Sequence, residues 1–289
     1  MREKVRTNGM AASKFQLTKG YRVDFGQLAR LLQAAPVAVS SATYDADTGA
    51  TTRITKSDLA QVVGLSDAHI EHLCSIAVGL GLIQAVVYKL TPLGSLIAHY
   101  DSFCDDVGTL WFLHYVVASD ARHTVWNRFA NEFLPEHTRF SLLDLRASFD
   151  DLKAQMPPKS KHIAIETTNL LDAYTEQAFS RLAYVRAEGD VFALSYREAM
   201  PPLVLAACIA RFRDRHRPGA TALSVEEILT APHSPGRICL LPADRVRNAL
   251  EHLRSQSGFA LESRADLDQV RLTDDMPDTL WMERYYASR

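Results

Sequence analysis

Cysteine is scarce in this chain of 289 residues: Cys74, Cys104, Cys208 and Cys239 lie far apart, and no C-x-x-C pair occurs. That spacing gives neither a zinc-binding signature nor a small disulfide scaffold, so reduced, mostly buried thiols in a cytoplasm are expected. Long apolar runs are missing too, and the first residues, M-R-E-K-V-R, contain no apolar h-region. A membrane is therefore not among the expected partners. There is no phosphate-binding glycine loop, no G-x-S-x-G elbow and no H-E-x-x-H, which leaves the common hydrolase chemistries without a motif. Net charge is also small, formally −2, so any nucleic-acid surface must be a local patch and not a global field.

Forty-seven per cent of the residues are hydrophobic, enough to fill ordinary cores, and the length allows two domains or one elaborated domain. The clearest pattern lies at residues 54–94. Ser57 can cap a short helix with Leu59, Val62 and Val63 inward, Gly64 can end it, and Ser66 can cap a second helix carrying Ile70, Leu73, Ala77 and Leu80. A strand over 86–90 would complete the order of a winged helix-turn-helix. The outward side of the second helix carries Asp67, His69, Glu71, His72 and Ser75, with no lysine or arginine. Most of a DNA reader's affinity comes from neutralising phosphate, so this unit reads as a protein-binding or purely structural winged helix ahead of a groove reader.

Upstream, a helix through Leu28, Leu31 and Leu32 is expected to break at Pro36. Downstream, a helical middle follows. It has an apolar helix over 107–118, an aromatic stripe of Trp126, Phe129 and Phe133, a capping box at Ser141 and Asp144, and a linker at 157–162. A long helix from Ile163 and a hairpin of 182–185 with 191–194 close it. The last ninety or so residues repeat the opening order. They read as a helix over 203–216, a short helix capped by Ser224 with Glu227 in the box position, a helix over 242–255 and a hairpin of 259–263 with 269–272. The fold class expected is mainly α, two winged helix-turn-helix units flanking a helical middle domain, with domains at 1–100, 101–197 and 198–289.

The C-terminal unit holds the positive charge that the first lacks. Between Pro201 and Ala260 eight arginines (211, 213, 215, 217, 237, 245, 247 and 254) face five acids, and no lysine follows Lys161. Arginine forks onto phosphate and guanine edges better than lysine does. Candidate DNA contacts are therefore Arg211, Arg213, Arg215 and Arg217 on one helix and Arg245, Asn248 and Arg254 on the next, with Lys159 and Lys161 in the linker. The alternative is that cations gather at a helix end because its dipole attracts them.

For catalysis the compact group is Asp101, Asp105 and Asp106, with His114 nearby in sequence. Acids so close can share a divalent ion, Mg2+ or Mn2+, of the kind nucleases use to activate water; Asp101 and Asp105 are the candidate ligands. Against this, Asp106 is placed to cap the helix that starts at Val107, Asp105 to favour its dipole, and His114 to sit in a core.

The run D-S-F-C-D-D-V-G-T-L-W-F-L-H-Y over 101–115, followed by W-N-R-F-A-N-E-F over 126–133, resembles the bacterial family catalogued as domain of unknown function 4007. That family shows D-P-Y-x-E-D, then G-T-L-W-x-L-H-Y, then an aromatic F-N helix. Leu90–Gly94, Lys19–Gly20 and Leu170–Tyr174 match its layout as well, while Ser102 stands for the usual proline and Asp105 for the usual glutamate. The resemblance spans roughly 15–180. It implies a companion of DNA phosphorothioation and related phage-defence operons, including Ssp-type systems, in which a member is regarded as a DNA-nicking component. The implied partners are DNA and a sulfur-transferring enzyme of the phosphoadenosine-phosphosulfate-reductase type; a homodimer is a further arrangement the sequence leaves open. Three functions stand side by side: a DNA-binding accessory that presents DNA to partner enzymes, a metal-dependent nickase, and a regulator of the operon.

Overall fold

A computed structural model describes residues 24–41, 44–45, 50–51, 55–85, 87–155, 167–177, 179–195, 199–264, 267–273 and 276–289. The chain is mainly helical, with 61% helix against 11% strand among the described residues, so its small sheets brace helices and do not organise the core.

Helix α1 (Phe25–Ser41) buries Leu28, Leu31 and Leu32 completely. Pro36, expected to break it, lies inside it on an exposed position, and the helix continues past the one backbone bond that proline cannot make. The short pair β1 (Tyr44–Asp45) and β2 (Ala50–Thr51) follows. Helix α2 (Lys56–Val63) is capped by Thr55, not Ser57. Thr55 has an acid three residues on, and the two form a closed box: Asp58 N–H donates to Thr55 Oγ1 (3.2 Å) and Thr55 N–H to the Asp58 carboxylate (2.7 Å). Gly64, at φ 74°, ends α2, and Ser66 caps α3 (Asp67–Gly79) as the spacing predicts. Of the strand expected at 86–90 the described residues form a single bridge, Ile83 to Leu90. Thr91 instead caps α4 (Pro92–Tyr100), with proline in the first turn, where its missing N–H costs nothing.

Helix α5 (Val107–Ser119) is buried from Gly108 to Ser119, so it has no solvent face and forms the axis of the molecule. The aromatic stripe is carried by α6 (Thr124–Asn127), a π-helical turn (Arg128–Phe133) and α7 (Leu134–Glu136), with Trp126, Phe129 and Phe133 all buried. Strand β3 (Arg139–Ser141) leads into α8 (Leu142–Gln155), whose Ser141–Asp144 box forms as expected. The linker at 157–162 and the expected helix start at Ile163 lie outside the described residues; α9 is Thr167–Thr175. The expected hairpin forms: β5 (Val191–Leu194) has the bounds expected of it, and β4 (Val185–Glu188) starts three residues after the expected first strand. The turn falls at Gly189, which takes the positive φ (66°) that a two-residue hairpin loop demands. Strand β3 pairs on the other side of β5.

The C-terminal unit comprises α10 (Pro202–His216), β6 (Leu223–Ser224), α11 (Val225–Thr230), α12 (Pro235–Ile238), α13 (Ala243–Leu253), β7 (Phe259–Arg264), β8 (Leu267–Leu272) and α14 (Asp278–Ala287). Its sheet is antiparallel in the order β6-β8-β7, with Leu223 opposite Val270 and Phe259 opposite Leu272. Helix α10 packs on both α5 and α14, and α14 reaches back to α4, so one apolar core runs from α1 to α14. Gly108 makes this possible: a Cβ there would lie 2.4 Å from the Tyr285 ring. Beside it Thr109 Oγ1 and Tyr286 Oη share a hydrogen bond of 2.6 Å. The G-T-L-W-x-L-H-Y run is thus the seat of the C-terminal helix. Among the described residues no helix is long and apolar enough to cross a membrane.

Candidate nucleic-acid interface

Helix α13 is the most sharply two-sided element of the C-terminal unit. Val246, Ala249, Leu250 and Leu253 are buried at i, i+3, i+4 and i+7, which leaves Arg245, Arg247, Asn248 and Arg254 exposed. Arg247 pairs with Asp268 on the hairpin (3.0 Å) and Arg254 with Glu251 (2.7 Å). Both pairs are open to solvent, where an ion pair contributes little and is readily exchanged for a phosphate. Arg245 has no acidic partner among the described residues. Around the exposed side of the helix, Arg245 and Asn248 lie toward one edge and Arg247 and Arg254 toward the other, with the exposed acids Asp244 and Glu251 between them.

The four arginines of α10 do different work. Arg211 is paired with Asp278 of α14 (2.8 Å) in a half-buried site. Arg213 is 6% exposed and donates to the carbonyls of Leu272 (2.9 Å) and Thr273 (3.3 Å) at the end of β8. Arg215 reaches Asp120 after α5 (3.3 Å), and Arg217 holds Glu227 of the α11 capping box (3.2 Å). These guanidiniums fasten α10 to its neighbours, and a phosphate would have to displace those partners. Lys159 and Lys161 lie outside the described residues.

The acidic loop is similarly engaged. Asp101 is 6% exposed, and its two oxygens accept the backbone N–H groups of Asp105 and Asp106, both at 3.1 Å, which folds the loop between α4 and α5. Asp106 caps α5 through Thr109 N–H (2.9 Å), accepts the Tyr285 hydroxyl and pairs with Arg289. Burial beside that carboxylate pushes the Tyr285 phenol up to about 12. Asp105 alone keeps its carboxylate at the surface, paired with Arg181 (2.9 Å). His114 is not part of this loop. It lies fully buried in α5, with Nε2 3.0 Å from the Tyr174 hydroxyl, and burial lowers its pKa to about 3. Among the described residues no group of three or more His, Cys, Asp or Glu side chains is arranged to hold a metal ion.

Two features escaped the sequence reading. One is a polar cluster where the π-helical turn meets the α11–α12 connection. Asn131 accepts the His233 N–H (2.9 Å), Asn127 lies 3.0 Å from His233 Nδ1, and His216 stacks on His233 with ring centres 4.6 Å apart. Burial, then His233 and Arg215, depress the pKa of His216 to about 4. The other is a cavity of about 260 Å3 beside α13, whose wall residues are dispersed over six elements and loops. No local spacing could reveal either one.

The model of the family described as protein of unknown function (DUF4007) matches residues 77–286. The match extends through the C-terminal unit, beyond the 15–180 that carried the resemblance, and it leaves Lys19 and Gly20 outside. No curated protein matches the chain. Two solved structures are similar. An SspB crystal structure is 15% identical, with a TM-score of 0.69, and covers 93% of this chain and 85% of its own. A magnesium ion-bound SspB crystal structure is 16% identical, with a TM-score of 0.64, and covers 93% of each chain. At such identities the likeness establishes the fold.

Proposed function

The chain belongs to the DUF4007 family, and on that footing we propose that it is a DNA-binding component of a bacterial DNA phosphorothioation or phage-defence system, presenting DNA to partner enzymes. The observation that carries this is the C-terminal unit. Helix, strand, two short helices, α13 and a hairpin, with the first strand paired to the last, follow the order of a winged helix-turn-helix. In that reading α13 is the recognition helix, its free Arg245 and its Asn248 face the duplex, and the β7–β8 hairpin is the wing. The α2–α3 pair supports the same reading less well, because its wing is a single bridge and the outward face of α3 lacks arginine and lysine; we assign it to protein contacts. The partner is the one that the family resemblance implies: a sulfur-transferring enzyme of the phosphoadenosine-phosphosulfate-reductase type. Binding of a labelled duplex by the purified protein, measured by fluorescence anisotropy, tests the reading. Micromolar or tighter binding that weakens steeply with salt supports it; no binding at low salt overturns it.

Metal-dependent nicking is the second reading, favoured by one observation, that a similar SspB structure holds magnesium. The residues here do not fit a shared ion at the acidic loop, since Asp101 and Asp106 are held by backbone amides, Tyr285 and Arg289. Asp101→Asn, at first sight the benign test, would place an amide N–H against backbone donors. Asp105→Asn at the surface is the cleaner variant. Supercoiled plasmid incubated with wild type and Mg2+ or Mn2+ should remain closed; metal-dependent nicking abolished in Asp105→Asn would favour the enzyme.

A further inference from the structure

The turn between α11 and α12 is tied to the helical middle through one residue, His233. Its backbone N–H donates to Asn131 Oδ1 (2.9 Å), its carbonyl accepts the Tyr115 hydroxyl (3.0 Å), and its ring nitrogen Nδ1 lies 3.0 Å from Asn127 Nδ2. Asn127 and Asn131 stand four apart where α6 passes into the π-helical turn, so both amides lie on one face. His233 keeps a left-handed φ of 65°, which a non-glycine residue holds only where its surroundings impose it. The tautomer of the ring follows from the network. Asn127 Nδ2 also donates to the Ala118 carbonyl (2.7 Å), which can only accept, so the nitrogen of this amide is the atom facing both partners. Nδ1 of His233 therefore accepts, and the ring is neutral with its proton on Nε2. A second proton, on Nδ1, would set N–H against N–H.

The charges around the ring come from every element at this junction. His216 of α10 stacks on His233, and its buried Nε2 has no hydrogen-bond partner among the described residues. Arg215 and Arg217 flank His216 on α10, and Glu132 lies on the π-helical turn. Asp120 follows α5 and is shared by Arg122, Arg215 and His123. Arg237 of α12 donates to the Asn131 carbonyl (2.7 Å) and closes the same junction. Burial lowers the His233 pKa first; the Ser119 carbonyl, Glu132 and Asp120 oppose it without prevailing, and Arg217 adds to it. What this junction holds in place is the base of α13. Gly236 lets α12 sit directly on α11, since a Cβ there would lie 2.6 Å from Leu229 Cα, so the two short helices form one piece. Leu241 N–H then donates to the Gly236 carbonyl (2.9 Å), and α13 starts two residues later.

We propose that His233 is a positioning residue for DNA binding. As a neutral imidazole it latches the α11–α12 pair, and with it α13, to the helical middle; protonation of the ring opens the latch and weakens the hold on DNA. The proposal rests on the DNA-binding reading above and adds its regulation. The expected sign is opposite to that of plain charge, because protonating histidines makes a protein more cationic and strengthens its grip on a polyanion. The unlatched ring, with the ordinary pKa of about 6.5, takes up the proton first. The latch is complete above about pH 6.5 and is lost as pH falls through 6.5 toward the lowered pKa of the latched ring.

The test titrates a labelled duplex with the full chain by anisotropy, in steps from pH 7.5 to 5 at constant salt, with circular dichroism following the fold at each pH. Wild type should lose affinity about fivefold or more across the series, the low end of coupling between separate sites. His233→Asn keeps an acceptor where Nδ1 stood, tolerates the left-handed backbone and does not titrate. It should bind as wild type does at pH 7.5 and keep that affinity at pH 5. His216→Phe preserves the stacked ring and should retain the wild-type profile. Ring NMR of the wild-type protein needs no variant: His233 should carry its proton on Nε2 at pH 7.5 and gain a second where affinity falls. Wild-type affinity that holds or rises on acidification overturns the latch and leaves DNA binding standing. A His233→Asn variant that loses affinity as steeply as wild type, or a ring that stays neutral while affinity falls, overturns it too. A flat profile in His216→Phe assigns the response to the other ring and overturns His233. Absence of binding at every pH overturns the DNA-binding reading itself.

Discussion

Arginines that look equivalent in the sequence are not equivalent in the molecule. On a helix, residues two apart point nearly opposite ways, so the R-F-R-D-R-H-R run of α10 distributes its guanidiniums around the axis instead of forming a stripe. Arg213 is the extreme case, buried with two backbone acceptors at the end of β8. Arg213→Ala should lose about 1–3 kcal/mol of stability, because the carbonyls of Leu272 and Thr273 are left without a donor. Arg245→Ala, at an exposed site, should stay within about 0.5 kcal/mol of wild type. Urea melts of both variants check the pair; equal midpoints would contradict the division of labour. Composition revealed the arginine excess but not its depth, because burial depends on which helices pack on α10.

At the scale of elements, the caps were the most legible feature. Ser66, Ser141 with Asp144, and Ser224 with Glu227 all start helices where the spacing places them, since a capping box is a local contract among four residues. The sharply amphipathic α13 was readable for the same reason. Short strands were not: β3 has three residues and β6 two, too few for a period, and both owe their existence to a partner far along the chain. The family signature in α5 was visible as a motif, yet its role was hidden until α14 lay across it. Gly108→Ala pushes a methyl into the Tyr285 ring, and overpacking of this kind typically costs about 1–3 kcal/mol. Thermal melts should show the loss, and a second change, Tyr285→Ala, should restore room at Gly108→Ala and make the two effects non-additive. Full additivity would mean that α14 does not bear on that glycine.

The whole molecule shares one core, so its pH response should be global. His114 and His216 have pKa values depressed to about 3 and about 4, each first by burial, against about 6.5 in an unfolded chain. The unfolded state therefore takes up protons first. Stability is complete above about pH 6.5 and is lost as pH falls through 6.5 toward 4. Between pH 7.5 and 5 the fully buried His114 should account for about 2 kcal/mol, with a smaller share from the partly exposed His216. Asp120 stays ionised in this window: burial opposes the charge, but the bonds from Arg122 outweigh it and hold the carboxyl down to about 2. Urea midpoints at pH 7.5 and 5 measure the drop, and identical midpoints would contradict it. The same shared core carries α13 on a fixed platform, and the central claim is that this face meets DNA phosphates. The most direct measurement is an anisotropy titration of one duplex across a salt series, with wild type, Arg245→Ala/Arg254→Ala, and His69→Ala/His72→Ala on α3. The account expects the arginine pair to weaken binding and to flatten the slope of log K against log salt by about two, while the histidine pair leaves both unchanged. An arginine variant with wild-type affinity and slope would contradict it.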